Sequence, residues 1–243
     1  MKKTIIYFFV VFLLLGFYYL NSYSLSDRVL GEFTTTLTGR SYEQINNIKN
    51  VVRKLDGYKL NPGGSFSFNS YIGKAKSEFG FEPAPMIIDG KVEDTIGGGI
   101  CQVSSTLYSS VLSAGLEILE RHAHCYRVKS VPPGFDAAVA YGKADLVFKN
   151  NYIFPVFIKS KYSRNRITIK VESLQNKPYE VKVDKVVKKI IEPQKEKSNN
   201  SYFKNQFISY NNESKGAIIE VKRLFYKKGD LVKEEVISND LYL

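Results

Sequence analysis

The chain has 243 residues, of which 44% are hydrophobic, and it carries a formal net charge of +11. This length suits one medium domain with an anchor and an extension, and the hydrophobic content excludes wholesale disorder. The basic balance suits an anionic partner such as nucleic acid, lipid head groups or an acidic cell wall, and it equally suits a surface that only keeps the protein soluble.

The N-terminus predicts a membrane anchor over residues 1–24. Lys2 and Lys3 precede a charge-free apolar run over residues 5–20 that is nearly long enough to cross a hydrocarbon core. The lysines orient the N-terminus inside, so we expect a single-pass protein of the cell membrane whose domain faces the extracytoplasmic cell wall. That topology removes nucleic acid from the partners. A cleaved signal peptide is the alternative, but residues 21–24 lack a small-x-small cleavage site.

The segment after the anchor predicts a stalk, a helix and a short strand. Residues 21–40 have the character of a stalk that enters the domain. Residues 41–55 predict an amphipathic helix, because Ser41 can cap the first turn, Gln44 occupies the capping-box position and apolar residues follow at helical spacing. Beyond a Pro-Gly turn, residues 65–69 alternate in hydrophobicity like a strand.

A second helix and a series of strands follow. Three glycines lead into a helical pattern that begins near Ile100. Residues 120–131 then alternate with period two and predict a strand. Further strands are predicted at 137–141 and 146–149, and a pair of strands is predicted at 153–159 and 166–172. Helices followed by mostly antiparallel strands predict an α+β domain over residues 25–192, in which the second helix packs on the sheet.

The C-terminal part of the chain predicts a separate hairpin. Residues 193–206 are rich in Lys, Asn and Ser and indicate a linker or long loop. Within the extension over residues 207–243, two strand patterns at 216–226 and 231–238 flank a turn with glycine at its tip, which is a β-hairpin signal.

Cys101 is the candidate nucleophile. It follows three glycines and one isoleucine at the predicted start of a helix, where unpaired N–H groups and the helix dipole lower a thiol pKa. The N–H groups of Gly98 and Gly99 could also stabilise an oxyanion. The alternative is a small cysteine that only packs at a helix start, and the local pattern does not decide between them.

The two histidines of the chain, His122 and His124, lie two residues apart. On a strand they share one face, from which one imidazole could reach the thiol as a general base. Asp136 is the nearest candidate to orient that imidazole, with Asp145 as the alternative, although an Asp beside a Pro-Gly turn is also an ordinary turn residue. We expect His124 to be the base, because it lies closer to the turn that carries Asp136.

A metal site is the competing use of these side chains. Cys101, His122, His124 and Cys125 could supply four ligands, but Cys101 is distant in sequence, and His124 and Cys125 point to opposite faces of the predicted strand. No CxxC or HExxH motif is present. We therefore predict neither a metal nor a cofactor.

Four sequence blocks resemble the VanW family. They read NPGGSFSFN at residues 61–69, GGGICQVSSTLY at 97–108, ERHAH at 120–124 and VPPGFDA at 131–137. Their order and spacing are similar to those of the family over roughly residues 30–175. Some members of the family are regarded as L,D-transpeptidases, and the hairpin resembles the tail that often follows such domains.

The resemblance implies Cys101 as the nucleophile and peptidoglycan stem peptides as the substrate. We expect the substrate-binding residues to be Gly98, Gly99, Gln102, Ser104 and Tyr141. A cysteine-dependent peptidoglycan hydrolase and a non-catalytic wall-binding protein remain alternatives. Cys125 stands where the family more often has serine, which leaves a Cys101–Cys125 disulfide open.

Overall fold

The computed structural model describes residues 28–88, 91–192 and 215–243. The predicted anchor over residues 1–24 and the predicted linker over residues 193–206 lie outside these ranges. Within them, no helix combines the length and the apolar character needed to cross a membrane.

The described chain is a mixed α+β structure, as predicted, and all of its paired strands are antiparallel. It also contains a short 3₁₀ helix, Ser77–Phe79. The helices are α1 (Tyr42–Leu55), α2 (Phe68–Ile72) and α3 (Ile100–Ala114). The strands are β1 (Arg28–Thr36), β2 (Tyr58–Leu60), β3 (Ser65–Ser67), β4 (Pro83–Ile88), β5 (Lys91–Ile96), β6 (Glu117–Glu120), β7 (Val147–Lys149), β8 (Val156–Ser163), β9 (Arg166–Ser173), β10 (Glu180–Ile191), β11 (Gly216–Lys227) and β12 (Asp230–Tyr242).

The hydrophobic core includes residues of a four-stranded sheet with the order β1-β9-β8-β2. Its predicted central pair, β8 and β9, is confirmed, with Ile158 opposite Val171 and both side chains fully buried. The prediction of a stalk over residues 21–40 was wrong for residues 28–36, which form the edge strand β1. Five of the nine residues of β1 are exposed and only Leu30, Gly31 and Thr35 are buried, so its sequence lacks a strong strand signal.

Both predicted helices are confirmed. Ser41 and Gln44 form the expected capping box of α1, with the Gln44 N–H donating to Ser41 Oγ at 3.2 Å and the Ser41 N–H donating to Gln44 Oε1 at 3.1 Å. Helix α3 packs against β1 and β9, and α1 packs against β8 and α3. The two helices therefore cover the large sheet, and α3 presents its N-terminus at one edge of it.

A second sheet, β3-β7-β6, differs from the predicted arrangement. The pattern over residues 120–131 predicts a long strand, but β6 ends at Glu120, and His122 makes an isolated bridge with Ala138. Residues 137–141 likewise make only isolated bridges. Backbone groups in both segments bond to side chains instead: the Ala137 carbonyl and N–H bond to Ser104 and Ser105 of α3, and the His124 N–H donates to Asp136. The predicted strand at 65–69 is shortened, because Ser67 caps the short helix α2.

The C-terminal hairpin is confirmed as β11 and β12, joined by a turn at Lys228 and Gly229. It forms a three-stranded sheet with β10, a strand that the sequence pattern did not predict. The end of β12 reaches the domain: Leu243 N–H donates to the carbonyl of Cys125 at 3.0 Å, and Tyr242 is fully buried.

Candidate active site

The glycines before α3 let the backbone at the start of the helix lie close to neighbouring segments. A side chain at Gly98 would lie 2.6 Å from the carbonyl oxygen of Ala84, and Gly99 has a φ of +100° as the N-cap residue. Asn47 fixes the run by donating to the Gly98 carbonyl at 3.0 Å. Gly98 is required because the backbone of Ala84 is so close, and Gly99 because its φ is positive. Both glycines therefore help to fix the start of the helix that carries Cys101.

Small hydroxyl residues along α3 hold the loop that carries Asp136. Ser104 donates to the Ala137 carbonyl at 2.7 Å, Ser105 accepts the Ala137 N–H at 3.0 Å, and Ser109 donates to the Phe135 carbonyl at 2.8 Å. These serines are buried, so each hydroxyl would be costly to leave unpaired. The loop is therefore fixed along the helix on both sides of Asp136.

The Cys101 thiol is partly buried and lies within this polar frame. Its Sγ donates to the Val139 carbonyl at 3.4 Å. Burial raises the pKa of the thiol, but the interaction with His124, the bond to the Val139 carbonyl and the charge of Arg40 outweigh burial and lower the pKa below its usual value. The thiolate is therefore easier to form at Cys101 than at an ordinary cysteine.

His124 links the thiol to a buried carboxylate. Its Nδ1 lies 2.7 Å from Asp136 Oδ2, and the same oxygen accepts the backbone N–H of His124 at 2.7 Å. Burial lowers the pKa of the imidazole, but the bonds to Asp136 and Cys101 outweigh burial and raise the pKa to about 9. A protonated imidazole between a thiolate and a carboxylate follows from these contacts.

Asp136 is held in its ionised form from several directions. Burial raises the pKa of its carboxyl, whereas the bonds to His124 and the charge of Arg121 lower it to about 2. Arg121 donates to Oδ1 at 3.0 Å and to the main-chain carbonyl of Asp136 at 2.6 Å, and it also pairs with Asp240 at 2.6 Å. Tyr242 donates its hydroxyl to Oδ1 at 2.5 Å. The carboxylate can therefore orient His124 without taking its proton.

The arrangement can support nucleophilic acyl transfer. Cys101 supplies a thiolate, His124 a proton donor and acceptor, and Asp136 the orienting acceptor. Within the described ranges, the backbone N–H of Cys101 donates to no protein acceptor, as befits the first turn of a helix. That N–H and the dipole of α3 are suited to stabilise an oxyanion formed at the thiol.

The structure separates the other residues predicted for the site. His122 lies 45% exposed and pairs with Glu120 at 2.9 Å, away from the thiol. Asp145, the alternative orienting residue, accepts from Ser67 Oγ and from the Asn69 N–H, where it supports the start of α2. Tyr141 is exposed.

Gln102 and Ser104, which the sequence predicted to bind the substrate, make hydrogen bonds within the chain itself. Gln102 is 3% exposed, its Nε2 donates to Thr35 and Thr36, and its Oε1 accepts from Arg40. Ser104 is fully buried and bonded to the Ala137 carbonyl. Both residues position the chain around Cys101 in this structure.

The two cysteines are separate in the structure. Cys101 is partly buried and Cys125 is exposed, and both are free thiols. In the described part of the chain, no three His, Cys, Asp or Glu side chains are arranged to hold a metal ion.

Three residues of the site escaped sequence reasoning: Arg40, Arg121 and Tyr242. Arg121 lies inside the ERHAH block, next to the histidines, so its position was a usable signal. Arg40 precedes the capping serine of α1 and showed no pattern of its own. Tyr242 lies 106 residues from Asp136 along the chain, and only the fold brings the two together.

Comparison with known proteins places this site in a family. The model described as "VanW like protein" matches residues 43–172, more than half of the chain. The chain is 38% identical over 137 residues to the uncharacterized protein YoaR of Bacillus subtilis (strain 168), covering 56% of this chain and 45% of that protein. It is 30% identical over 112 residues to the vancomycin B-type resistance protein VanW of Enterococcus faecalis (strain ATCC 700802 / V583), covering 43% and 40%.

The chain thus spans less than half the length of these two relatives. No solved structure matches it. The family match contains Cys101, His124 and Asp136, whereas Arg40 and Tyr242 lie outside it. On the extent of that match, the chain belongs to the VanW family.

Proposed function

We propose that this chain is a cysteine-dependent L,D-transpeptidase that forms 3-3 cross-links in peptidoglycan. The observation that carries the proposal is that His124, which lies 2.7 Å from Asp136, interacts with the Cys101 thiol and lowers its pKa. A relative named for vancomycin resistance supports a role in the cell wall. The proposal includes a membrane-anchored chain whose domain faces the wall and whose partners are stem peptides.

The proposed first step forms an acyl-enzyme. The Cys101 thiolate attacks the carbonyl of the third residue of a donor tetrapeptide, and a tetrahedral oxyanion forms near the N-terminus of α3. The bond from that carbonyl to the terminal D-Ala then breaks, and the leaving amine takes the proton of His124. The products are a thioester on Cys101, free D-Ala and a neutral imidazole.

The proposed second step transfers the acyl group to an amine. The side-chain amine of another stem peptide attacks the thioester, neutral His124 takes its proton, and the thiolate leaves. One amide replaces another, so the exchange needs no nucleotide. Water in place of the amine would release a tripeptide, which is the reaction of the hydrolase alternative.

The test is incubation of the full chain with purified disaccharide tetrapeptides, followed by mass analysis of the protein and the products. The wild-type chain should show an acyl adduct on Cys101 and 3-3 dimers. Cys101→Ala should lose both, because alanine cannot form a thioester, while Cys125→Ser should retain them. Tripeptide without dimers would favour the hydrolase. Cross-linking by a folded Cys101→Ala protein would end the nucleophile hypothesis.

A further inference from the structure

A cavity of about 570 Å³ lies between the second sheet and the C-terminal sheet. Residues 117–121 form one of its walls, and residues 235–238 with Asp240 form another. Side chains alternate between the two faces of a strand, so consecutive residues line a cavity together where it runs along the edge of the strand. β6 and β12 are the outer strands of their sheets, and no other strand of the described chain pairs with those edges. The cavity therefore lies between two unpaired strand edges.

β-Bulges keep the two edges from pairing with each other. Leu119 of β6 and Ile237 of β12 are each the extra residue at a break in register with the neighbouring strand, and both line the cavity. A bulge bends its strand and interrupts the ladder of backbone hydrogen bonds. The outer backbone N–H and C=O groups of both strands can therefore bond to a ligand in the cavity.

Tyr108 of α3 closes the inner end of the cavity. It is fully buried, and its hydroxyl has no hydrogen-bond partner in the described chain. The charges of Arg121, Arg223 and Asp240 act on that hydroxyl, and all three residues line the cavity. A buried hydroxyl without a partner is costly to the fold. A ligand that bonds to Tyr108 would remove that cost.

The lining of the cavity is acidic. Four carboxylates and two guanidinium groups contribute to it. Both guanidinium groups already have partners, because Arg121 donates to Asp136 and Asp240, and Arg223 donates to Glu235. The bonding capacity that remains on the side chains of the walls is therefore mostly that of hydrogen-bond acceptors.

The remaining acceptors lie beside aliphatic surface. Glu117 makes no hydrogen bond or ion pair within the part of the chain that the structure describes. In the same part of the chain, Glu120 accepts hydrogen bonds at Oε1 alone and Asp240 at Oδ2 alone. Leu119 and Val236, both about half exposed, contribute apolar side chains to the lining. Carboxylate oxygens with free acceptor capacity favour a positively charged N–H donor.

We propose that the cavity between β6 and β12 binds a peptide that carries an aliphatic ammonium side chain of the lysine type. The alkyl chain packs on Leu119 and Val236, the ammonium group donates to Tyr108 and Asp240, and the exposed Glu117 adds attraction at the rim. The peptide amides bond to the strand edges.

This site is separate from the thiol, because Arg121 lies between the cavity and Asp136. The inference therefore goes beyond acyl transfer at Cys101. Stem peptides that are not yet cross-linked carry such an ammonium group, and only this identification of the ligand rests on the proposed function.

The first experiment uses the full chain in detergent, with its thiols blocked by iodoacetamide so that an amine cannot act at Cys101. Saturation-transfer NMR measures the Kd of Nα-acetyl-lysine N-methylamide and, as the matched control ligand, of the same compound acetylated on Nε. The wild-type chain should bind the charged compound about tenfold more tightly, the scale of one charged hydrogen bond. Equal binding of the two compounds would overturn the proposal.

Tyr108→Phe distinguishes a hydroxyl that binds the ligand from one that supports the fold. The hydroxyl has no partner in the described chain, so its removal should not lower the melting temperature. It should weaken binding of the charged compound about fivefold, because the ammonium group loses one acceptor. A lower melting temperature with unchanged binding would show that the hydroxyl is structural and would contradict the assignment.

Glu117→Gln tests the charge at the rim in a residue that is exposed and therefore safe for folding. Binding of the charged compound should weaken about twofold to fivefold. Glu93→Gln, at an exposed glutamate of β5, is the matched control and should leave binding unchanged. Unchanged binding in both Tyr108→Phe and Glu117→Gln would place the ammonium group elsewhere and overturn the cavity site. A chain that shows the expected binding but forms neither an acyl adduct nor dimers would keep the cavity site and refute the proposed function.

Discussion

The segment from Glu120 to Asp136 holds two pairs of a histidine and a carboxylate with nearly equal separations. His124 lies 2.7 Å from Asp136, and His122 lies 2.9 Å from Glu120. The first pair has side chains 22% and 1% exposed, and the second has side chains 45% and 46% exposed. Water screens the exposed pair, whereas the buried pair keeps most of its electrostatic interaction.

The difference between the pairs shows what turns a histidine into part of a site. The buried pair has a third member, Cys101, and further bonds to Asp136 from Arg121 and Tyr242. Both histidines have a carboxylate within hydrogen-bond distance, so proximity to a carboxylate does not distinguish them. Burial and the connection to the thiol do.

Replacing each histidine with alanine gives the largest expected contrast. His124→Ala removes the proton donor and acceptor at the thiol and should lower the rate of cross-linking about a hundredfold or more. His122→Ala removes a surface pair and should change that rate less than about twofold. Dimer formation at saturating tetrapeptide measures both.

Equal losses of activity in the two variants would contradict this prediction, because His122 would then have to contact the substrate. It would also break if His124→Ala kept the wild-type rate. Thermal melting of each variant serves as the control, because His124 also bonds to a buried carboxylate.

Replacing the carboxylate of each pair tests the same comparison by its effect on the pH dependence of activity. The thiolate–imidazolium pair exists between the lowered pKa of Cys101 and the pKa of about 9 at His124. Activity should therefore fall at alkaline pH as His124 loses the proton that the leaving amine needs. Asp136→Asn weakens the support for the imidazolium, so this alkaline fall should move to lower pH, with a loss of about tenfold to a hundredfold at neutral pH.

Glu120→Gln is the matched control, since it makes the same chemical change in the exposed pair. Its pH profile should overlay that of the wild type.

The pKa shift of His124 also determines how the stability of the fold depends on pH. The raised pKa of His124 contributes stability that is complete below its ordinary value of about 6.5 and is lost as pH rises through about 9. An unmoved alkaline fall in Asp136→Asn would remove Asp136 from this role.

The fold was predictable where local pattern and burial agree. The capping box of α1, the start of α3, the β8–β9 pair and the final hairpin all carry strong local signals, and each is present. Strands β1, β2, β4, β5 and β10 were missed, and β1 and β10 are the longest of them. Half of β1 and most of β10 are exposed, so their hydrophobic patterns are weak, and only pairing with distant strands makes them strands.

The site was predictable only in part for a related reason. Cys101, His124 and Asp136 lie in recognisable sequence blocks, so their combination could be anticipated. The strand predicted over residues 120–131 was wrong, because the His124 N–H donates to the Asp136 side chain and the Cys125 carbonyl accepts the N–H of Leu243. Such contacts produce no local pattern in the sequence, and Tyr242 lies in the C-terminal sheet, far along the chain.

The smallest effect is expected at Tyr242, which connects the C-terminal sheet to the buried pair. Its hydroxyl donates to Asp136 Oδ1 at 2.5 Å and accepts the Gly134 N–H at 2.6 Å. Tyr242→Phe removes these bonds and a longer one from Arg121 at 3.4 Å while keeping the ring, so unfolding should become easier by about 1–2 kcal/mol. Asp136 keeps its bonds to Arg121 and His124, so cross-linking should slow only about fivefold.

Denaturant unfolding and the pH profile together read out the Tyr242 variant. Tyr42→Phe, at a tyrosine that is 73% exposed, is the matched control and should change neither. If Tyr242→Phe lowers stability but leaves the alkaline fall of activity in place, the C-terminal strand only holds the loop. A fall that moves toward lower pH, as in Asp136→Asn but by less, would show that the strand tunes His124 through Asp136. We expect the second result, because the lost hydroxyl bonds the same carboxylate that supports the imidazolium.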